Sequence, residues 1–306
     1  MRIGLTGGAA TTDGVVRQAK LAEQQGFTSL WYASNVTADP LASMAIAGRE
    51  TSRIELGTAV LQTYPCHPLL QAHRVTAAAN AMGRSGFTLG LGPSHAAVVE
   101  DIYGLSYARP GRNTEEYLSI VTAALRGGPI EFTGVDWSAH LPAEVPAPQY
   151  PVPVLLSALS PRMLRIAGAI ADGTVLWMAS AKAIDTHVAP QITAAAQAAG
   201  RPAPRIVAGL PVAVHDDEAE ARSATAATAG MYAAMPNYKR IIETGGGTTP
   251  ADIAIVGNEA SVRTQLQHLL DAGATDIWIQ PVAVGRDKAE RTTSKTRTID
   301  LLCELL

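Results

Sequence analysis

The sequence predicts an α/β fold: a (β/α)8 TIM barrel with insertion segments over its C-terminal face, forming one domain across residues 1–306. Three observations predict it. Short, mostly apolar runs bounded by Gly and Pro recur eight times, at 2–6, 28–33, 54–60, 86–92, 152–158, 173–178, 205–214 and 274–281. Helical periodicity fills most of the gaps between them. The runs also end in polar, turn-rich segments, as in Tyr64-Pro-Cys-His-Pro68 and Gly90-Leu-Gly-Pro-Ser-His95. Continuous apolar runs of this length are strands buried on both faces, which is how parallel sheets read.

The connecting segments have helical form. Residues 13–26 open on the N-cap candidate Asp13, place Val16, Ala19 and Ala22 at helical spacing, and stop at Gly26. The last repeat is built the same way, with residues 259–273 ending in Ala272-Gly273 before the strand that carries Trp278. A helix that ends in Ala-Gly before a strand is a βαβ hinge, and eight such units allow a closed barrel or an open doubly wound sheet. The open dinucleotide-binding sheet would carry Gly-X-Gly-X-X-Gly after its first strand. Here Gly7-Gly8 is followed by Ala-Ala-Thr-Thr-Asp, so the barrel is favoured. Two stretches break the rhythm: 127–151, rich in Pro and Gly with Trp137 and His140, and 231–257, with Gly245-Gly-Gly-Thr-Thr-Pro250. Both are expected to act as lids over the mouth.

Composition narrows the function classes. With 306 residues and 47% hydrophobic content the chain can build one large core. A formal net charge of -3 gives no general pull toward nucleic acid or an anionic membrane, and neither is expected as a partner. The start runs straight into a strand, and no apolar stretch reaches the roughly 20 residues of a membrane span; the expectation is a soluble, cytoplasmic protein. Cys66 and Cys303 imply no disulfide framework. Cys66, His67 and His73 lack metal-ligand spacing, so no metal is expected.

Barrel sites lie at the C-terminal ends of strands. Those ends offer Ser34, Asn35, Gln62, Ser94, His95, Ser157, Met178, His215 and Gln280, and no lysine falls within any of the eight strands. A Schiff-base aldolase and divalent-metal chemistry are both disfavoured, which leaves an organic cofactor as the source of reactivity. Leu155-Leu-Ser-Ala-Leu-Ser-Pro-Arg162 passes from strand to helix with Ser160 as N-cap and Pro161 at the first helical position. Free N–H groups there suit a phosphate, with Arg162 or Arg165 adding charge; the same segment also reads as an ordinary capped helix.

Together these segments resemble the bacterial-luciferase-like superfamily, and within it the oxidoreductases that use the deazaflavin coenzyme F420. The resemblance runs through nearly the whole chain. It rests on Leu56-Gly-Thr-Ala-Val60 with His67-Pro68, and on Gly90-Leu-Gly-Pro-Ser-His95 leading to Tyr103-Gly-Leu and Arg112-Asn-Thr-Glu-Glu-Tyr117. It rests also on residues 155–164 followed by Ala171-Asp-Gly173.

The resemblance implies a third strand ending in a bulge with a non-prolyl cis peptide, here at Ala59-Val60, backing the cofactor ring, with small side chains at Thr58 and Ala59 allowing close approach. It implies that Ser157, Ala158, Leu159 and Ser160, with Arg162, hold a phosphate, and that Ser94 and His95 lie near ring or phosphate. Trp177, Trp31 and Met178 would form apolar walls. Related enzymes often carry an acidic residue followed by His at the end of the second strand; Ser34 and Asn35 stand there instead. They can hydrogen-bond a ring but cannot shuttle protons near pH 7. His95, Tyr64 and His67 then become the candidates for a general acid, with His95 first. The implied activity is hydride transfer between the deazaflavin C5 and a small organic substrate, in a homodimer. An FMN-dependent monooxygenase of the same superfamily and a non-catalytic F420-binding protein are the alternatives.

Overall fold

The computed structural model describes residues 1–306. Eight parallel strands close into a barrel: β1 (Ile3–Thr6), β2 (Ser29–Tyr32), β3 (Glu55–Thr58), β4 (Phe87–Gly92), β5 (Val154–Leu156), β6 (Gly173–Val175), β7 (Arg205–Val214) and β8 (Asp276–Pro281). Each pairs with its neighbour in sequence, and β8 closes on β1 through Ile3↔Ile277 and Leu5↔Ile279. All eight predicted strands are therefore present and in the predicted order. A short strand, Ile255–Gly257, pairs with the far end of β7.

Strand β3 breaks after Thr58. The chain resumes pairing only at Leu61–Gln62, against Leu91 and Gly92 of β4, so residues 59 and 60 bulge out of the ladder. The Ala59–Val60 peptide is cis. Gly90 makes this possible, because a Cβ there would lie 2.0 Å from the Thr58 carbonyl oxygen. The Thr58 hydroxyl locks the crossing, donating to the Gly90 carbonyl at 2.8 Å and accepting from the Gly90 N–H at 2.7 Å. Gly209 of β7 has a parallel role across the barrel: its missing side chain leaves the space that Trp278 fills.

The barrel floor, at the N-terminal ends of the strands, is an ion cluster. Arg205 donates to Glu55 (2.7 Å) and to Asp276 (2.7 Å), and Arg2 reaches both carboxylates from outside. The Arg205 guanidinium also sits 5.6 Å from the Trp31 ring centroid. Charge is thus spent on closing the bottom, and the interior above it is apolar.

The two insertions differ in place. Residues 127–151 form an antiparallel hairpin, Gly128–Thr133 with Ser138–Val145. This stretch follows a helix, Pro110–Arg126, and so begins at the base of the barrel; it climbs the outside of the helical layer instead of lying over the mouth. Near the base the Gln149 N–H donates to Asn80 (2.8 Å); at the tip the Glu116 carboxylate accepts the N–H groups of residues 135–137. Only that tip reaches the rim, where Trp137 packs against His67 and Tyr117. The second stretch follows a helix, Glu218–Ala229, that starts just past the C-terminal end of β7 and packs against the short strand Ile255–Gly257; it does stand over the mouth, carrying a 3-10 turn, Gly230–Ala234, and a helix, Pro236–Thr244. No helix is long and apolar enough to cross a membrane.

Candidate active site

Two cavities open at the C-terminal ends of the strands and share Val60, Ser157 and Tyr238. The outer one, about 430 Å³, lies where three helices begin. Pro110–Arg126 contributes Arg109, Pro110 and Gly111; Pro161–Ile170 contributes Ser160, Arg162 and Met163; Pro236–Thr244 contributes Asn237, Tyr238 and Arg240. Each helix starts on a proline, whose fixed φ suits the first helical position. Two of the three have no side-chain cap, so their first N–H groups remain available. Helix N-termini carry partial positive charge, and here three arginines reinforce it. This end is built for an anion.

The Ser160 hydroxyl accepts from the Met163 N–H at 3.4 Å, which is the predicted N-cap. Gly111 leaves room for Arg162, whose side chain lies where a Cβ would intrude at 2.7 Å. Arg162 faces Glu115 only at 3.6 Å, with both side chains about half exposed, so it stays available to a ligand. Ser94, just past β4, holds a left-handed φ of 62°, and Tyr107 donates to its carbonyl at 2.9 Å. Met178, past β6, has φ 66°. Non-glycine residues adopt this conformation rarely, and it gathers at functional mouths.

The inner cavity, about 200 Å³, is apolar. Ala59 and Val60 of the bulge line one side. Trp177 and Trp278 stack at 4.9 Å, Tyr232 meets Trp177 edge-on at 5.9 Å, and Tyr238 meets Tyr232 at 4.9 Å. Thr6, Ser157 and Gln280 supply neutral polar groups, and no charged residue lines this space. A roomier cavity, about 660 Å³, lies on the flank between the helices Thr12–Gln24 and Lys288–Glu304, away from the strand ends that converge here.

The sequence-predicted site residues divide into groups. Val60, Ser94, His95, Ser157, Leu159, Ser160 and Arg162 line the outer cavity; Ala59 and Trp177 line the inner one. Thr58 and Ala158 are fully buried, and Thr58 serves the bulge from behind. Ser34 donates to the Val60 carbonyl at 3.1 Å, and Asn35 accepts from the N–H and hydroxyl of Thr37, closing its own turn. Both line a neighbouring depression with Gln62, Cys66 and Arg74. Tyr64 packs 5.4 Å from Tyr107, which does face the outer cavity; burial pushes its phenol up to about 12. His67 is an N-cap, its Nδ1 accepting from the Leu69 N–H. His95 lies 5.7 Å from Tyr238, and burial pushes its imidazole below its ordinary value.

Sequence reasoning missed Arg109, Arg240, Tyr232 and Tyr238, which come from a loop or from an insertion whose path over the mouth is set by tertiary packing, and Trp278, which lines the inner cavity from β8 itself. Proline at the start of Pro236–Thr244 was the one local signal for the helix beneath Tyr238 and Arg240. It also missed His187, whose Nε2 reaches the Leu159 carbonyl at 2.8 Å and steadies the 157–160 loop.

Comparison with known proteins fits this geometry. The luciferase-like monooxygenase family matches residues 2–276. A 5,10-methylenetetrahydromethanopterin reductase of Methanolobus tindarius is 26% identical over 311 residues, covering 92% of this chain and 94% of that one. An F420-dependent hydroxymycolic acid dehydrogenase of Mycobacterium tuberculosis is 30% identical over 286 residues, covering 86% and 78%. Among solved structures, an F420-dependent secondary alcohol dehydrogenase in complex with an F420-acetone adduct superposes with a TM-score of 0.80. It is 17% identical, with coverage of 100% of this chain and 98% of that one. By sequence and by fold, then, the chain belongs to the luciferase-like monooxygenase family.

Proposed function

We propose that the chain is an F420-dependent oxidoreductase that moves a hydride between the deazaflavin C5 and a small organic substrate. The observation that carries this reading is the two-part mouth, an anion end under three helix N-termini and three arginines joined to an apolar slot behind the Ala59–Val60 bulge. A phosphate-bearing planar cofactor fits those two chemistries. Three arginines also exceed the need of a single phosphate, which favours a cofactor with further carboxylates on its tail.

When bound, the deazaflavin supplies the hydride donor or acceptor; the remaining work falls to side chains already in place. Ser157, Leu159, Ser160 and Arg162 would hold the phosphate, with Ser94 beside them. Ala59 and Val60 would back the ring and Trp177 would flank it. Gly90 and Thr58 fix the bulge, so the seat needs no rearrangement on binding. The Tyr232 and Tyr238 rings of the insertion screen the slot from water.

His95 is the proposed proton-handling group. It faces the cavity, and its lowered pKa keeps it neutral at pH 7, able to donate from one nitrogen and accept at the other. Tyr64, the other candidate, is a neutral phenol held one ring away. Ser34 and Asn35 act through the bulge and the adjoining turn. The same reading makes the protein a cytoplasmic homodimer acting on small molecules, without nucleic acid or membrane as partner.

The family also contains monooxygenases, so FMN is the competing cofactor. Titration of the purified protein with F420 and with FMN, followed calorimetrically, decides between them. Micromolar or tighter F420 binding with much weaker FMN supports the proposal. Preference for FMN moves the chain to the oxygen-using branch, and binding of neither refutes the site. F420 binding with no oxidation of its reduced form by any carbonyl or activated alkene would leave a binding protein without turnover.

A further inference from the structure

We infer that the substrate of this site is an uncharged, planar, conjugated carbonyl compound, recognised by an aromatic wall that faces the bulge. The inference rests on the F420 reading and names the substrate class for the same site. Its basis is topological. In an eight-stranded barrel β3 stands opposite β7, and the wall is built from the strands and connection around β7. Trp177 follows β6, Trp278 is on β8, and Tyr232 and Tyr238 come from the segment after β7. Ala59 and Val60 therefore share one slot with four aromatic side chains, and those six residues would bound a flat guest held there.

The wall's own geometry fits a flat guest. Trp177 and Trp278 are near-parallel, at 27°, and the two tyrosines meet their neighbours edge-on at 70° and 75°. Such an arrangement presents both π faces and ring edges, the two contacts a conjugated molecule makes best. The indole N–H of Trp278 is already committed to the Leu176 carbonyl at 3.0 Å, so that ring is fixed in place.

Charge decides the rest. No Asp, Glu, Lys, Arg or His lines the inner cavity, although three arginines and a histidine line the outer one. The ion cluster of Arg205, Glu55 and Asp276 is internally paired and lies on the floor, beneath Trp31. An anionic substrate would have to leave water for an aromatic slot without a counter-ion, a costly transfer that a neutral carbonyl avoids. Gln280 supplies a neutral amide able to hydrogen-bond that carbonyl.

The test titrates F420-saturated protein calorimetrically with 4-phenylbut-3-en-2-one and with cinnamate, molecules of near-equal shape that differ in charge. The neutral ketone is expected to bind at least about tenfold more tightly than the carboxylate. Trp278→Leu and Tyr232→Leu should each weaken the ketone about fivefold or more while F420 affinity changes little. Tyr232 lies on the surface insertion, so its variant reports even where Trp278→Leu fails to fold. Equal or tighter binding of cinnamate, no binding of the ketone, or displacement of F420 by the ketone would overturn the inference. F420 binding is measured first on the same sample. If F420 fails to bind, the parent reading falls, and the cofactor-free protein with the same two probes still tests the wall.

Discussion

Replacing Gly90 by alanine puts a Cβ 2.0 Å from the Thr58 carbonyl oxygen, where real Cβ contacts essentially never fall below 3.0 Å. The obstacle is backbone, so no rotamer change relieves it. β3 and β4 must part locally by an ångström or so, stretching the pair of hydrogen bonds that the Thr58 hydroxyl makes to Gly90 at 2.8 and 2.7 Å. Overpacking of this kind costs about 1–3 kcal/mol, and two weakened buried hydrogen bonds bring the total to about 2–4 kcal/mol. For a domain of this size that is a fall in Tm of about 3–6 °C by scanning calorimetry. Because the bulge itself moves, F420 affinity should drop by more than about tenfold. Gly230→Ala is the control: it has φ -58 and nothing within 4 Å of the added methyl, so it should leave F420 binding intact and hold or raise Tm. Gly90→Ala protein that melts within about 1 °C of the parent and binds F420 equally well would refute the role given to the bulge.

Three further predictions follow from other parts of the molecule. Arg205→Met removes the shared partner of Glu55 and Asp276 and should cost about 3–5 kcal/mol in urea denaturation. Burial alone would push the Asp276 carboxyl up, yet the hydrogen bonds and charge of Arg205 hold it below its ordinary value. Ser160→Ala deletes an N-cap whose bond is long, 3.4 Å, and should lose no more than about 1 kcal/mol of stability; Arg162→Met and Arg240→Met should leave Tm unchanged, and all three variants should weaken F420, the two arginine variants with a flatter salt dependence. His95 is the pH-sensitive group of the mouth. Its folded pKa lies below the ordinary 6.5, so above 6.5 both states are neutral and it adds no pH dependence. As pH falls through 6.5 and then the lower folded value, the unfolded chain takes up the proton first and stability is lost. His95→Gln should flatten that stretch of the stability profile and lower turnover with reduced F420, and an unchanged profile would remove His95 from the proposal.

What the sequence determined by itself was the scaffold. The eight apolar runs, the Gly and Pro punctuation and the helices ending in glycine are local signals, each legible within about ten residues. The apolar runs are long because parallel strands are buried on both faces. Ser160 and Pro161 announced their helix start in the same local way, and the 56–60 segment carried enough family pattern to place the bulge. What only the tertiary structure decided was which distant groups meet. The hairpin at 127–151 lies outside the barrel because the helix before it, Pro110–Arg126, returns the chain to the base, a matter of chain direction that its composition does not encode. Arg109, Arg240, Tyr232 and Tyr238 join the mouth through a loop and an insertion, whose path over the barrel no local signal fixes. Ser34 and Asn35 sit where a proton-shuttling pair was looked for, and packing gives one to the Val60 carbonyl and the other to its own turn. Local sequence specifies elements because backbone hydrogen bonding and capping are local; a site is assembled from residues far apart in the chain, and its membership is set by how those elements pack.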